Sequence, residues 1–190
     1  MNFEFTETHN MIRETARSFA TERIVKDSIQ RDEKEEFPHQ LVKEMGELGF
    51  MGMMVPEEWG GAGLDTISYV IAMEEISRAD ASCGVIMSVN NSLVCYGINK
   101  YGTEDQKARY LRDLASGKKL GAFALSEPEA GSDASNQRTV AVREGDVYIL
   151  NGTKNWITNG STADVVLVMA ATDRSKGAKG ISTFIVEKGM

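Results

Sequence analysis

In the first part of the chain, apolar residues recur every three or four positions. Ile12, Ala16, Phe19 and Ile24 form one stripe and Leu41, Met45 and Leu48 a second, which predicts two amphipathic helices. Pro38 is placed to open the second, because the N–H it lacks is one that a first helical turn leaves unpaired anyway. A third helix is predicted from 67 to about 76, with Ile67, Val70, Ile71 and Glu74 on one side. Residues 81–101 carry Val85, Ile86, Met87, Val89, Leu93, Val94 and Ile98, the composition of a helix buried on most sides. Tyr101-Gly102 reads as its stop, and Thr103-Glu104-Asp105-Gln106 has the form of a capping box opening a last amphipathic helix to about Ala115.

Beyond Gly117 the pattern changes to short apolar or alternating runs at 120–125, 139–143, 147–150, 165–169 and 181–186, separated by turn residues. The expected fold class is therefore α+β: an all-helical amino-terminal domain over 1–117, followed by a β-sandwich or barrel-like domain over 118–190. The sequence stops at Gly189-Met190 directly after a strand pattern, which suggests a truncated protein whose β domain is incomplete at its end.

Charge and composition narrow the partners. Of 190 residues, 28 are acidic and 21 basic, a net charge of −7, and the basic residues are interleaved with acids as in Arg31-Asp32-Glu33-Lys34. That pattern lacks the clustered basic footprint of a nucleic-acid binder. Cys83 and Cys95 sit in apolar surroundings without CxxC spacing and read as buried thiols in a reducing compartment. Met1-Asn2-Phe3-Glu4-Phe5 has neither the basic start nor the apolar run of a targeting peptide, so a cytoplasmic location is expected. No membrane span is expected, because Ser88, Asn90 and Asn91 interrupt the richest apolar segment short of the roughly 18 residues a span requires.

Most tests for chemistry return little. Trp59-Gly60-Gly61-Ala62-Gly63 is not GxGxxG and reads as a tight connection between helices, and no GxxxxGK[ST] element is present. His9 and His39 read as surface residues, Glu33 to Glu36 as a solvated loop or helix end and the ten methionines as core filling, and no metal site is expected.

Two segments carry more. In Leu125-Ser126-Glu127-Pro128-Glu129-Ala130-Gly131-Ser132-Asp133, Pro128 pushes Glu127 towards extended backbone, Gly131 permits a positive φ or a close approach, and Ser132 and Asp133 can bind nearby main chain. Such a loop either holds an anion or ring carbonyl on fixed N–H groups or is a rigid turn between strands. In Asn151-Gly152-Thr153-Lys154-Asn155-Trp156-Ile157-Thr158-Asn159-Gly160, two Asn-Gly turn signals bracket a predicted short strand with Trp156 and Thr158 on one side. The tryptophan either offers a flat face to a planar heteroaromatic ligand or plugs the β core.

Together these segments resemble the acyl-CoA dehydrogenase family, and the resemblance runs through essentially the whole chain. Glu74 to Arg78, Gly84 to Leu93, Leu125 to Asp133 and Leu150 to Gly160 are most similar to the short-chain, butyryl-CoA type members. Ala124 to Ser135 follows the family pattern [GAC]-[LIVM]-[ST]-E-x-x-[GSAN]-G-[ST]-D-x-x-[GSA], and Asn136 departs from its last position, where a small residue is usual. The resemblance implies FAD held without a Rossmann motif. It places Phe123, Leu125 and Ser126 along the flavin, Trp156, Ile157 and Thr158 flanking the ring, Gly131 and Ser132 near FAD, and Ser132 against the acyl-CoA substrate. It also places Ile86 and Val89 at the floor of the acyl pocket.

The implied reaction is α,β-dehydrogenation of short-chain acyl-CoA thioesters in fatty acid metabolism, with electrons passing to an electron-transfer flavoprotein. The family's general base lies in a carboxy-terminal helical domain that this sequence does not reach, so no catalytic residue is assigned and the isolated chain is expected to be inactive. Full-length members are homo-oligomers, of the tetrameric type. An acyl-CoA oxidase relative, or a non-catalytic fragment that binds flavin, acyl-CoA or a partner, stays open beside this reading.

Overall fold

The computed structural model describes residues 4–190, which divide into two compact units, one ending at Lys119 and the other spanning Leu120–Met190.

The first unit is helical: α1 (Glu7–Phe19), α2 (Ser28–Glu33), α3 (His39–Glu47), α4 (Thr66–Ala79), α5 (Ala81–Ser88), α6 (Tyr96–Tyr101) and α7 (Glu104–Ala115). Pro38 lies one position outside α3, as its N-cap. A π-helical stretch, Val89–Cys95, joins α5 to α6, so that 81–101 is one long helix. By length and composition this helix could cross a membrane, yet it is mostly buried, with Cys83, Ile86, Met87, Val89, Val94, Cys95 and Ile98 inside the unit. Both thiols are free, and burial pushes each up to about 12.

The centre of this unit is polar as well as apolar. Asn91 Oδ1 accepts from Met53 N at 2.8 Å while its Nδ2 donates to Phe50 O and Met87 O, and Asn90 Nδ2 donates to Met51 O and Leu114 O. These buried amides satisfy the irregular chain after α3, whose carbonyls no helix or strand takes up. Gly52 fits there because a Cβ would meet that of Ala115 at 2.4 Å. Thr103 and Gln106 form the expected capping box of α7, and Gly102 caps α6.

Three sequence expectations fail in this unit. Leu48, expected in the second apolar stripe, lies one residue past α3 and is exposed. α4 buries Ser68, Tyr69, Ile71, Ala72, Glu75 and Ile76, whereas Ile67 and Val70 are more than half exposed and Glu74 is exposed. Apolar residues surround this helix, so spacing could not choose its face, and the inward glutamate is compensated by Arg17 at 2.6 Å and Arg78 at 3.2 Å. His9 is buried rather than superficial: it closes a capping box with Thr6, and its Nε2 lies 3.2 Å from Asp65 Oδ2.

The second unit is built on one five-stranded mixed sheet: β1 (Gly121–Ala124), β2 (Val140–Glu144), β3 (Val147–Asn151), β4 (Val165–Ala171) and β5 (Ile181–Glu187). β4 pairs parallel with β1 and antiparallel with β5, and a single parallel bridge, Val140↔Ala171, attaches the β2–β3 hairpin. The hairpin turns at Gly145, whose φ of +63° suits glycine. Asp164 clamps the start of the parallel pair, because its Oδ2 accepts from Leu120 N at 2.9 Å and its N–H donates to Leu120 O at 2.8 Å. Ala122, Ala124, Val165, Leu167 and Ala170 are buried along these two strands.

Candidate functional site

Both informative segments belong to the second unit and emerge beside one another. β1 runs directly into the first. Phe123 is half-buried and alternates with buried Ala122 and Ala124, so its side chain leaves the opposite face of the strand. Leu125 and Ser126 follow, also half-buried. The chain then closes a tight turn, in which Glu127 N donates to Ala130 O at 2.9 Å and Ala130 N to Glu127 O at 3.1 Å, with exposed Pro128 and Glu129 at the tip. Gly131 and Ser132 lie beyond the turn, exposed.

The second segment is not a strand. After β3 the chain is irregular, Trp156 and Asn159 have φ of +59° and +66°, and Gly160 N donates to Ile157 O. Trp156 and Thr158 are therefore not related by the two-residue period of a strand, contrary to the sequence expectation. Trp156 does not plug the β core either, being 94% exposed, while Ile157 and Thr158 are half-buried. Asn159 folds inward, its Nδ2 donating to Gly121 O at 2.9 Å, and ties this loop to the start of β1.

What joins the two segments is a buried ion pair. Lys154 Nζ donates to Glu127 Oε1 at 2.8 Å, to Leu125 O at 3.0 Å and to Gln137 Oε1 at 3.0 Å, three acceptors for its three protons. Asn155 N donates to Ser126 O at 2.9 Å. The Glu127 carboxylate also accepts from the backbone N–H groups of Arg138 and Thr139. Burial alone would push this carboxyl up, and the Lys154 ammonium with those N–H donors overcomes it, holding the group at about 2.

The structure thus brings Leu125 and Ser126 alongside Lys154 and Asn155. No hydrogen bond among the described residues ties Gly131 or Ser132 to 156–158. The sequence does not mark Glu127, Lys154 and Gln137 as a unit; the one signal is that Lys154 is the sole charged residue of 151–160 while 125–133 carries three acids.

Three features suit a bound planar group. The Trp156 indole is open. Among the described residues the hydroxyls of Ser126, Ser132 and Thr158 take part in no hydrogen bond of the structure. Gly131 has no left-handed φ, and a Cβ built on it would meet nothing within 4 Å, so packing within this chain does not call for glycine there.

Residues 6–118 match the acyl-CoA dehydrogenase N-terminal domain and residues 122–190 the acyl-CoA dehydrogenase middle domain. The chain belongs to the acyl-CoA dehydrogenase family. The short-chain specific acyl-CoA dehydrogenase of Clostridium acetobutylicum is 49% identical over 189 residues, which are 100% of this chain and 50% of that protein. Butyryl-CoA dehydrogenase from Megasphaera elsdenii superimposes with a TM-score of 0.95 at 40% identity, over 100% of this chain and 50% of its own. A structure described as the electron transferring flavoprotein of Acidaminococcus fermentans contains a chain matched at TM-score 0.97 and 48% identity, again over 100% of this chain and 50% of that one. PigA, solved with FAD and proline, matches at TM-score 0.93 and 30% identity, over 100% and 50% of the two chains. The chain spans about half the length of the curated relatives it matches. The two matched domains coincide with a helical unit followed by a mixed-sheet unit.

Among the described residues no cluster of three His, Cys, Asp or Glu side chains could hold a metal ion. The two buried glutamates are both engaged. Arg17 first, and Arg78 with it, holds Glu75 below the usual carboxylate range, and Glu127 is committed to Lys154.

Proposed function

We propose that this chain supplies FAD-contacting and acyl-CoA-contacting surface of a short-chain acyl-CoA dehydrogenase, with an electron-transfer flavoprotein as the acceptor and a homo-oligomer as the working assembly. FAD, when bound, supplies the two-electron acceptor for α,β-dehydrogenation of the thioester. On this reading Phe123, Leu125 and Ser126 lie along the flavin, Trp156, Ile157 and Thr158 flank it, and Gly131 lets the cofactor approach the backbone closely. Ser132 contacts the acyl-CoA. The hydroxyls of Ser126 and Thr158 give the ring's polar edge fixed partners in place of water, and the indole covers an apolar face.

The observation that carries the reading is the pinning of both motif segments side by side, with the Trp156 indole left open beyond them. The α-proton abstraction is left to a group outside this set, because Glu75 and Glu127 are both tied in ion pairs.

The test is an absorbance and fluorescence titration of the purified chain with FAD, followed by butyryl-CoA. Quenching of flavin emission that weakens in Trp156→Ala supports the reading, and a flavin band that butyryl-CoA does not bleach agrees with a base elsewhere. Free-flavin emission unchanged at every protein concentration would refute the assignment of the cofactor surface to this chain.

A further inference from the structure

We propose that Lys154 is a positioning residue: its ammonium fixes and polarises the peptide unit that ends in the Ser126 N–H, and so sets the donor that the first segment presents to the flavin. This rests on the reading that Ser126 lies along FAD.

Leu125 O and Ser126 N–H belong to one planar peptide. Lys154 Nζ sits 3.0 Å from that oxygen, and a cation there draws electron density towards the carbonyl and makes the N–H at the other end a stronger donor. The next carbonyl, Ser126 O, is held at 2.9 Å by Asn155 N. Consecutive residues of one segment therefore grip consecutive carbonyls of the other, which fixes their register as well as their separation.

The remaining contacts keep the ammonium in place. Side-chain exposure is 11% for Lys154 and 2% for Glu127, so neither is solvated by bulk water. Glu127 neutralises the charge, and Gln137 fills the third donor position while its own Nε2 bonds Ala134 O at 3.2 Å. Glu127 spreads its negative charge over Lys154 and the N–H groups of Arg138 and Thr139, leaving the ammonium's field on Leu125 O only partly cancelled. A buried pair of this kind contributes little net stability compared with a neutral replacement, so its geometric effect can be separated from folding.

The test uses the double variant Glu127→Gln/Lys154→Met, which removes both buried charges together, and the single variant Glu127→Gln, which keeps the ammonium on Leu125 O. In the flavin-free chain, amide exchange and the Ser126 amide nitrogen resonance are read by NMR, with β4 and β5 as internal controls. In the double variant, exchange at Glu127, Ala130 and Asn155 should quicken by about tenfold or more while β4 is unchanged, as for a local opening. The Ser126 nitrogen should move upfield in the double variant and stay near its original position in Glu127→Gln. FAD affinity should fall about tenfold in the double variant, the effect of losing one oriented charge-assisted contact.

Unchanged exchange and an unmoved Ser126 resonance in the double variant overturn the proposal. So does loss of protection in β4 along with the loops, which would mean a merely structural pair. An equal Ser126 shift in both variants overturns the polarisation, and a double variant that binds FAD as tightly as the parent overturns the role at the cofactor. A parent chain that binds no FAD refutes the proposed function instead, while the flavin-free measurements still decide the positioning.

Discussion

Glu127→Gln is the substitution whose effect can be worked furthest from the structure. The carboxyl's ordinary value of 4.5 is lowered to about 2 in the folded chain. At about 1.36 kcal/mol per unit, ionisation of Glu127 stabilises the fold by on the order of 3 kcal/mol. A folded-state value below the unfolded one means that this contribution is fully present above about pH 4.5 and is lost as pH falls through the folded value near 2. Glutamine has the same shape and resembles the protonated acid, so the parent and the variant should converge in acid. The expected difference in unfolding free energy is about 3 kcal/mol at pH 7, shrinking below about pH 4.5 and nearly closed by about pH 2. Trp156 is 94% exposed and a poor reporter, so the measurement is urea unfolding followed through the amide resonances of β4 at a series of pH values. Subtracting the variant's curve removes the titration of every other carboxylate. Parallel curves from pH 6 to pH 2.5 would refute the reasoning, because they would mean that the buried pair adds no pH-dependent stability.

Four further outcomes are expected. Asn91→Ala removes partners from Met53 N, Phe50 O and Met87 O at once and should cost about 3 kcal/mol, read as a fall in the thermal midpoint of the helical circular dichroism signal. Cys83 and Cys95, both near 12 because burial disfavours the thiolate, should resist alkylation at pH 8 in the folded chain and react together once urea unfolds it; rapid labelling of the native chain would contradict their placement. Gly52→Ala should destabilise by roughly 2 kcal/mol, since its Cβ would press on Ala115. Gly131→Ala should leave stability within about 0.5 kcal/mol, having open space around the new methyl, yet weaken FAD binding in the same titration that tests Trp156.

How far these features were legible in the sequence depends on the range of the interaction. The α7 capping box and the Gly102 stop depend on residues three or four apart, and both stand where the pattern put them. The burial of Cys83 and Cys95 is legible from their apolar neighbours alone. The inward face of α4 is not legible from spacing, because Glu75 becomes a core residue only when Arg17, 58 residues away, reaches it. The burial of His9 is hidden for the same reason, since its partner Asp65 is 56 positions distant. In the site, the two segments could be recognised as motifs, whereas their mutual placement depends on Lys154 reaching Glu127 across 27 positions. The strand predicted around Trp156 failed because the positive φ at that residue is imposed by the closing of the loop, a conformation for which neither period nor propensity argues.

The parallel pairing of β1 with β4 also dictates an order of assembly. β2–β3 and β4–β5 are local hairpins, while Leu120 meets Asp164 across 44 residues and Gly121 lies opposite Val165. Closing a long loop costs more chain entropy than closing a short one, so the expected order is that the hairpins form early and β1 docks onto a β4 that already has its antiparallel partner. On the ribosome β1 emerges first among the strands and waits for the last third of the unit. Leu125 and Ser126 continue directly from β1, so their attachment to Lys154 and Asn155 is expected to be completed only in the final step of folding, and a slow or interrupted step there would yield a chain with much of its sheet and its two loops unjoined.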